Sequence, residues 1–137
     1  MPHLVILYSG NLDAEADMGT LARKLADTML AQRDDAGQPV FPTGGTRVLA
    51  YPAPHFAVAD GTGDFGFVYL NLRMARGRSA ATQQAVGRAL EADVKRHFGT
   101  LLATRHLGIT LQIDEGAEVF DAKNSSLHPL FAGRRPG

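Results

Sequence analysis

The 137-residue chain has a proline at position 2, where its nitrogen could act in catalysis. Pro2 follows Met1 and precedes "HLVILY", an apolar run with the length and composition of a strand. Because Pro2 is small, we expect aminopeptidase to remove Met1 and leave a free secondary amine on Pro2. Burial and nearby cations lower the pKa of such an amine towards neutral pH, where a general base works best. Pro2 is therefore a candidate acid/base, although proline is also tolerated structurally at the first residue of a strand.

Several arginines lie where predicted strands begin or end. Arg47 enters a strand from the glycine turn in "GGTRV", and Arg73, Arg76 and Arg78 lie in "RMARGR", between a strand and a helix. A guanidinium group binds a carboxylate through two parallel hydrogen bonds, and ligands of α/β proteins bind at strand ends. Arg47 and Arg78 are candidate carboxylate-binding residues, and on residue type and position alone each suits a solvated surface charge equally well. Arg73 is a further candidate, and Arg76 is interpreted as a solvated turn residue.

The five histidines do not have the spacing of a metal site. They are His3, His55, His97, His106 and His128, and no two of them form a pair such as HExxH. We therefore predict no metal. His3 and His128 could approach the site of Pro2, with His3 as a substrate-binding candidate, and His97 is predicted to pack in the core.

Composition excludes several classes of function. The 14 basic and 14 acidic side chains cancel, so the charge favours neither nucleic acid nor a membrane surface as partner. The absence of cysteine excludes disulfides and thiolate chemistry. No leader or membrane-spanning run is recognisable, so we expect a cytoplasmic protein. "GTGDFG", at 61–66, precedes a strand instead of following one, which argues against a nucleotide-binding loop.

Hydrophobic periodicity predicts two helices and four strands. One helix is expected from Leu12 to Arg33, and a second begins after the N-cap Ser79 and runs to about His106. The second helix has an apolar face of Val86, Leu90, Val94, His97 and Leu101. The strands are expected in "HLVILY", "TRVLAY", "DFGFVYLNLR" and "HLGITLQIDEG".

The order strand, helix, strand occurs twice, which predicts a single α/β (α+β) domain over 1–137. Its pseudo-repeats are 2–60 and 61–115, and a tail occupies 116–137, with "AGRRPG" expected to be disordered. Strands that flank a crossover helix pair in parallel, so both helices should cover one face of one sheet. The other face is expected to be apolar and uncovered, which predicts an oligomer.

Together these features resemble the tautomerase superfamily, and within it the 5-carboxymethyl-2-hydroxymuconate Δ-isomerase family. The resemblance rests on "MPH", "GGTRV", "ADGTGDFGFVYLNL", "GRS" and "LHPLF", which occur in this order over nearly the whole chain. The family has further polar or basic residues just after its first arginine, where this chain has Val48, Leu49 and Tyr51.

The resemblance implies a homotrimer of tandem β-α-β units with a site around each terminal proline. It implies a cofactor-independent isomerase that acts on an unsaturated 2-hydroxy dicarboxylate in the breakdown of aromatic acids such as homoprotocatechuate. Pro2 would be the acid/base, and Arg47 and Arg78 would be catalytic and substrate-binding residues.

Two alternatives stay open on the sequence alone. The same fold and proline also suit a related tautomerase that acts on a phenylpyruvate-type enol, or a hydratase or dehalogenase relative. A trimeric binding protein without catalysis would retain the shape but make no use of the Pro2 nitrogen.

Overall fold

The computed structural model describes residues 2–132, so most of the tail segment expected to be disordered, 133–137, lies outside the described residues. One four-stranded sheet has the order β2-β1-β3-β4. Its strands are β1 (His3–Ser9), β2 (Arg47–Ala53), β3 (Phe65–Met74) and β4 (His106–Glu115). The pairs β1–β2 and β3–β4 are parallel, as predicted, and β1–β3 is antiparallel. The helices are α1 (Asp13–Ala16), α2 (Met18–Leu30) and α3 (Ala80–Thr104).

The prediction of one continuous helix from Leu12 to Arg33 is wrong, because Asp17 divides it into α1 and α2. Asp17 has the left-handed backbone angles φ 46° and ψ 58°, which end α1 before α2 begins. The carbonyl group of Ala16, at the end of α1, is contacted by Nε2 of His97 at 2.5 Å. His97 is therefore half-buried and bonded to a helix end, at the rim of the core.

The long helix α3 begins where the sequence predicts. The Ser79 hydroxyl accepts a hydrogen bond from the backbone N–H of Thr82 at 3.1 Å, which confirms the N-cap. The helix ends at Thr104, two residues before the predicted end at about His106. No helix within residues 2–132 is long and apolar enough to cross a lipid bilayer.

Alternation along the strands gives the sheet one covered and one open face. The covered face packs against α2 and α3, and its side chains include Leu4, Ile6, Leu70 and Leu72, all fully buried. Phe98 of α3 is also fully buried there, a core position that the predicted apolar face omitted. The hydrophobic effect over this face is what holds helices and sheet together.

The open face is mixed, whereas an apolar face was expected. Leu7 and Tyr51 are 42% and 56% exposed there, so an apolar strip is present. Beside it, however, the Tyr69 hydroxyl donates to Oε1 of Gln112 at 3.0 Å, one of two cross-strand hydrogen bonds between polar side chains of β3 and β4. The polar side chains of this face therefore form hydrogen bonds within the chain, whereas the apolar side chains of Leu7 and Tyr51 stay exposed to solvent.

Beyond β4 the chain turns back towards the end of β3. The backbone N–H of Gly116 donates to the carbonyl of Met74 at 2.7 Å. An irregular stretch then leads to a short 3-10 turn, His128–Phe131, which packs against another 3-10 turn, Thr43–Gly45. We call residues 116–132 the C-terminal segment.

We expect Leu90→Ala to lower the free energy of unfolding by about 2–5 kcal/mol, because it leaves a cavity at a fully buried position of α3. Leu102→Ala is the matched control, since Leu102 lies on the same helix and is 45% exposed. The control should lose less than about 1 kcal/mol. Urea unfolding at a single protein concentration measures both, and equal losses would contradict this account of the core.

Candidate active site

Pro2 is buried at the start of β1, where two neighbouring strands fix its position. Its carbonyl accepts a hydrogen bond from the backbone N–H of Arg47 at 3.3 Å, at the beginning of the β1–β2 ladder. On the other side, His3 is paired with Arg73 of β3. Because neighbouring residues of an extended chain point to opposite sides, Pro2 and His3 face different surfaces of the sheet.

A cavity of about 200 Å³ lies on the side of Pro2. Besides Pro2, its polar lining consists of Arg78, Lys123 and His128, which come from the approach to α3 and from the C-terminal segment. Its apolar walls include Phe41, from the loop after α2, and Met74, from the end of β3. Four parts of the chain that are distant in sequence therefore meet around Pro2.

The turn between β3 and α3 delivers Arg78 to this cavity. Gly77 has φ +102°, a conformation that glycine adopts readily and other residues rarely do. The guanidinium group of Arg78 donates through Nη2 to the carbonyl of Val40 at 2.6 Å. This bond to a main-chain acceptor holds the charge of Arg78 at the cavity without neutralising it.

The other predicted site residues lie on the opposite surface, at the same end of the sheet. His3 is flanked in register by Arg47 on β2 and Arg73 on β3, and Nη1 of Arg47 lies 3.4 Å from Nε2 of His3. Partial burial lowers the pKa of His3, and the positive charge of Arg47 lowers it further. None of the three side chains lines the cavity of Pro2. The structure thus brings Pro2 and Arg78 together and places His3, Arg47 and Arg73 in a second group.

The C-terminal segment contributes the residue that sequence reasoning missed. Lys123 lines the cavity of Pro2, and its ammonium group forms an ion pair with Asp121 two residues before it. No periodic pattern or turn motif around Lys123 marks it in the sequence. His128, which sequence analysis placed near the site, also lines the cavity.

The electrostatic character of the cavity suits an anion. Arg78 supplies positive charge held only by a main-chain carbonyl, Lys123 supplies a charge that is paired with Asp121, and no Asp or Glu belongs to the lining among the described residues. No cluster of three or more His, Cys, Asp or Glu side chains in the described part of the chain is arranged to hold a metal ion. A basic nitrogen at Pro2, next to groups that bind a carboxylate, is placed to take a proton from one atom of the bound molecule and return it to another.

The chain is similar over nearly its whole length to known proteins of one family. The model of the 5-carboxymethyl-2-hydroxymuconate isomerase family matches residues 2–131. A 5-carboxymethyl-2-hydroxymuconate Delta-isomerase of Escherichia coli is 30% identical over 131 residues, which cover 96% of this chain and 99% of the relative. A crystal structure of a 5-carboxymethyl-2-hydroxymuconate delta-isomerase is 58% identical, with a TM-score of 0.91, over 96% of this chain and 93% of that one.

A more distant structure shares the fold alone. It is a fused 4-OT wild type symmetric trimer, 18% identical with a TM-score of 0.58, and the match covers 97% of this chain and 98% of that one.

We expect the pKa of His3 to lie below 6.5 in the folded protein and to rise when Arg47 is replaced in Arg47→Gln, because the positive charge of Arg47 is one of the causes that lower it. Titration by NMR of the His3 ring protons measures the pKa in both proteins. Since the folded state binds fewer protons than the unfolded chain, this group reduces stability as the pH falls below about 6.5. Arg23→Gln, a change at an exposed arginine paired with Asp27, should leave the His3 titration unchanged.

Gly44→Ala should destabilise the contact between the two 3-10 turns. A Cβ at this position would lie 2.9 Å from Nδ1 of His128 and 3.0 Å from its Cα, so backbone must move. We expect a loss of about 1–3 kcal/mol in the free energy of unfolding and faster proteolysis within the C-terminal segment.

The control for this change is Gly19→Ala. Gly19 lies in α2, and nothing is within 4 Å of the added Cβ, so the free energy of unfolding should be unchanged or rise by up to about 1 kcal/mol. Urea unfolding and limited proteolysis of both variants test the difference. A Gly44→Ala protein as stable and as protease-resistant as the control would show that the turns are not in close contact.

Proposed function

The chain belongs to the 5-carboxymethyl-2-hydroxymuconate isomerase family of the tautomerase superfamily, and we propose that it converts a substrate of that type to its conjugated 2-oxo isomer with Pro2 as the acid/base. It is an isomerase. The observation that carries the proposed mechanism is the shared cavity of Pro2 and Arg78, with no carboxylate in its described lining.

The state of the Pro2 nitrogen decides whether it can act as a base. Once Met1 is removed, the nitrogen of Pro2 is a secondary amine. Pro2 is buried and shares its cavity with the guanidinium charge of Arg78, and both conditions disfavour the protonated amine. They therefore lower the pKa of the amine towards the range in which a general base is effective.

The proposed reaction is a proton transfer along a conjugated chain. The neutral amine takes the proton of the 2-hydroxyl group, and the O–H electron pair forms the carbonyl group. The two double bonds of the diene become one double bond at its centre, and the carbon at the far end of the diene receives a proton from the prolyl ammonium. Atoms balance, because the proton lost from oxygen equals the proton gained by carbon.

Arg78 is proposed to hold a substrate carboxylate and to stabilise the negative charge that develops during the transfer. Its guanidinium group is held by the carbonyl of Val40, which leaves its positive charge for an anion. Arg47 and Arg73, with His3, lie at the same end of the sheet on the open face, and we propose that they contribute to substrate binding from that side.

We also propose that the protein is a homotrimer that acts in the cytoplasm, in the breakdown of aromatic acids, without a cofactor. The support for the assembly is the apolar strip of the open face, where Leu7 and Tyr51 are exposed. A second copy would cover this strip.

The first test is a UV assay with 5-carboxymethyl-2-hydroxymuconate on protein whose N-terminus has been determined by mass spectrometry. We expect rapid loss of the dienol absorbance with the processed protein, and a fall of about 100-fold or more in kcat/KM for Pro2→Gly, since general acid-base catalysis contributes that much. Arg47→Ala should raise KM and leave kcat nearly unchanged. Pro54→Gly changes an exposed proline and should retain full activity.

Two results would contradict the proposal in different ways. Full activity in a form that retains Met1 would exclude Pro2 as the base, because its nitrogen would then be an amide. No turnover of this substrate by the processed protein, together with turnover of phenylpyruvate enol, would assign the chain to a different tautomerase reaction.

A further inference from the structure

The loop between α2 and β2 supplies the acceptor that holds Arg78, and the proposed mechanism does not explain how this loop is built. It runs over residues 31–46, and Val40 within it presents the carbonyl group to which Nη2 of Arg78 donates. Val40 is buried, so the contact is shielded from water. Whatever fixes the carbonyl of Val40 therefore also fixes the guanidinium group at the cavity of Pro2.

Backbone hydrogen bonds fold residues 32–40 into a tight hairpin, which we call the 32–40 hairpin. The backbone N–H of Val40 donates to the carbonyl of Gln32 at 3.1 Å, and the backbone N–H of Asp34 donates to the carbonyl of Gln38 at 2.8 Å. Val40 is thus the last paired residue of the hairpin. The position of its carbonyl depends on the pairing that precedes it.

The side chain of Asp34 closes the tip of the hairpin. Its Oδ1 accepts hydrogen bonds from the backbone N–H groups of Ala36 and Gln38, both at 2.9 Å. Asp and Asn at the first position of a turn form such bonds, and glycine is favoured at the fourth position. The fourth residue here is Gly37, which has φ +77° and donates its N–H to the carbonyl of Asp34 at 2.9 Å. The carboxylate of Asp34 therefore supplies two of the bonds that define the turn.

The tip of the hairpin lies against the turn that carries Arg78. Asp34 and Asp35 line a second cavity, of about 220 Å³, together with Arg78 and the first turn of α3. The hydroxyl of Thr82, a buried residue of that helical turn, donates to Oδ1 of Asp35 at 3.4 Å. Because Arg78 also lines the cavity of Pro2, the hairpin and the substrate site are in contact with the same side chain.

We propose that Asp34 is a positioning residue for the proposed reaction and acts through Arg78. Its carboxylate orders the hairpin, the hairpin places the carbonyl of Val40, and that carbonyl holds the guanidinium group where it binds substrate. The inference rests on the proposed function, because it assigns a support to a residue of the same site. Asp34 itself does not line the cavity of Pro2. The hairpin requires a hydrogen-bond acceptor from Asp34 and not a negative charge.

The first test compares Asp34→Ala, which removes the acceptor, with Asp34→Asn, which keeps an acceptor at Oδ1 and removes the charge. We expect Asp34→Ala to lower kcat/KM for 5-carboxymethyl-2-hydroxymuconate about 5- to 10-fold, because a displaced Arg78 binds the carboxylate less well. Asp34→Asn should stay within about twofold of wild type. An Asn variant as impaired as the Ala variant would contradict the proposal, since the charge would then carry the effect.

A double-mutant cycle tests whether Asp34 acts through Arg78. In the Arg78→Ala background, Asp34→Ala should change kcat/KM by less than about twofold, because the side chain that Asp34 positions is absent. If Asp34→Ala instead causes the same fall in both backgrounds, it perturbs the protein generally and the proposal is wrong.

The matched control is Asp60→Ala. Oδ1 of Asp60 accepts a hydrogen bond from the backbone N–H of Thr62 at 3.1 Å, so the change removes the same kind of turn bond from an exposed loop outside the cavity. This variant should keep kcat/KM within about twofold of wild type. A loss equal to that of Asp34→Ala would overturn the assignment of the effect to the 32–40 hairpin.

Hydrogen exchange measured by NMR separates this proposal from the proposed reaction, because it needs no substrate. We expect Asp34→Ala to speed exchange of the backbone N–H of Val40 and of the guanidinium protons of Arg78 by roughly 10-fold or more, and Asp34→Asn to keep the rates of wild type. If wild type turns over no dienol but these changes are observed, the proposed function is wrong and the link from Asp34 to Arg78 stands. If exchange at Arg78 is the same in Asp34→Ala as in wild type, the link is wrong even where turnover is observed.

Discussion

The pairing of β1 with neighbours on both sides is the constraint on which the site depends. His3 is in register with Arg47 on the parallel strand β2 and with Arg73 on the antiparallel strand β3. The same register turns Pro2 to the covered side, where the cavity lies. A slip of one residue would exchange the two faces and move Pro2 away from Arg78. Burial of Leu4 and Ile6 on the covered face opposes such a slip, so packing of the core also keeps Pro2 next to Arg78.

Local patterns in the sequence were sufficient to predict most of the fold. Short apolar runs located the four strands, with alternation clear in β4, and the Ser79 N-cap located the start of α3. The break at Asp17 was not predicted in this way, because the apolar positions with helical spacing, Met18, Leu21, Leu25 and Met29, all lie after it. The broken end is contacted by His97, which is 81 residues from Ala16 in sequence. A contact over that distance leaves no trace in a short window of sequence.

The sequence predicts those residues of the candidate site that have a reactive side chain or nitrogen and lie next to a recognisable turn or at the start of the chain. Pro2, Arg47 and Arg78 stand at a terminus or beside glycine turns, and the sequence singles them out. Their division between two sides of the sheet was not predictable, since it depends on which strands are neighbours. Lys123 was missed for a related reason. Its place in the cavity follows from the return of the chain after β4, where Gly116 bonds to Met74, and not from any motif around it.

The cavity also shows how a protein keeps positive charge available for a ligand. A cation that is paired with a carboxylate must give up that partner, at least in part, before it can bind an anionic substrate. Arg78 is instead held by the main-chain carbonyl of Val40, which orients the guanidinium group and leaves its charge uncompensated. His128 is held by Ser125 and by close contact with Gly44, and these contacts do not use Nε2. The free chain therefore tolerates an uncompensated guanidinium charge at the cavity, whereas the nearby charge of Lys123 is paired with Asp121. A bound carboxylate compensates the charge of Arg78, which explains why a main-chain contact, and not an ion pair, positions this side chain.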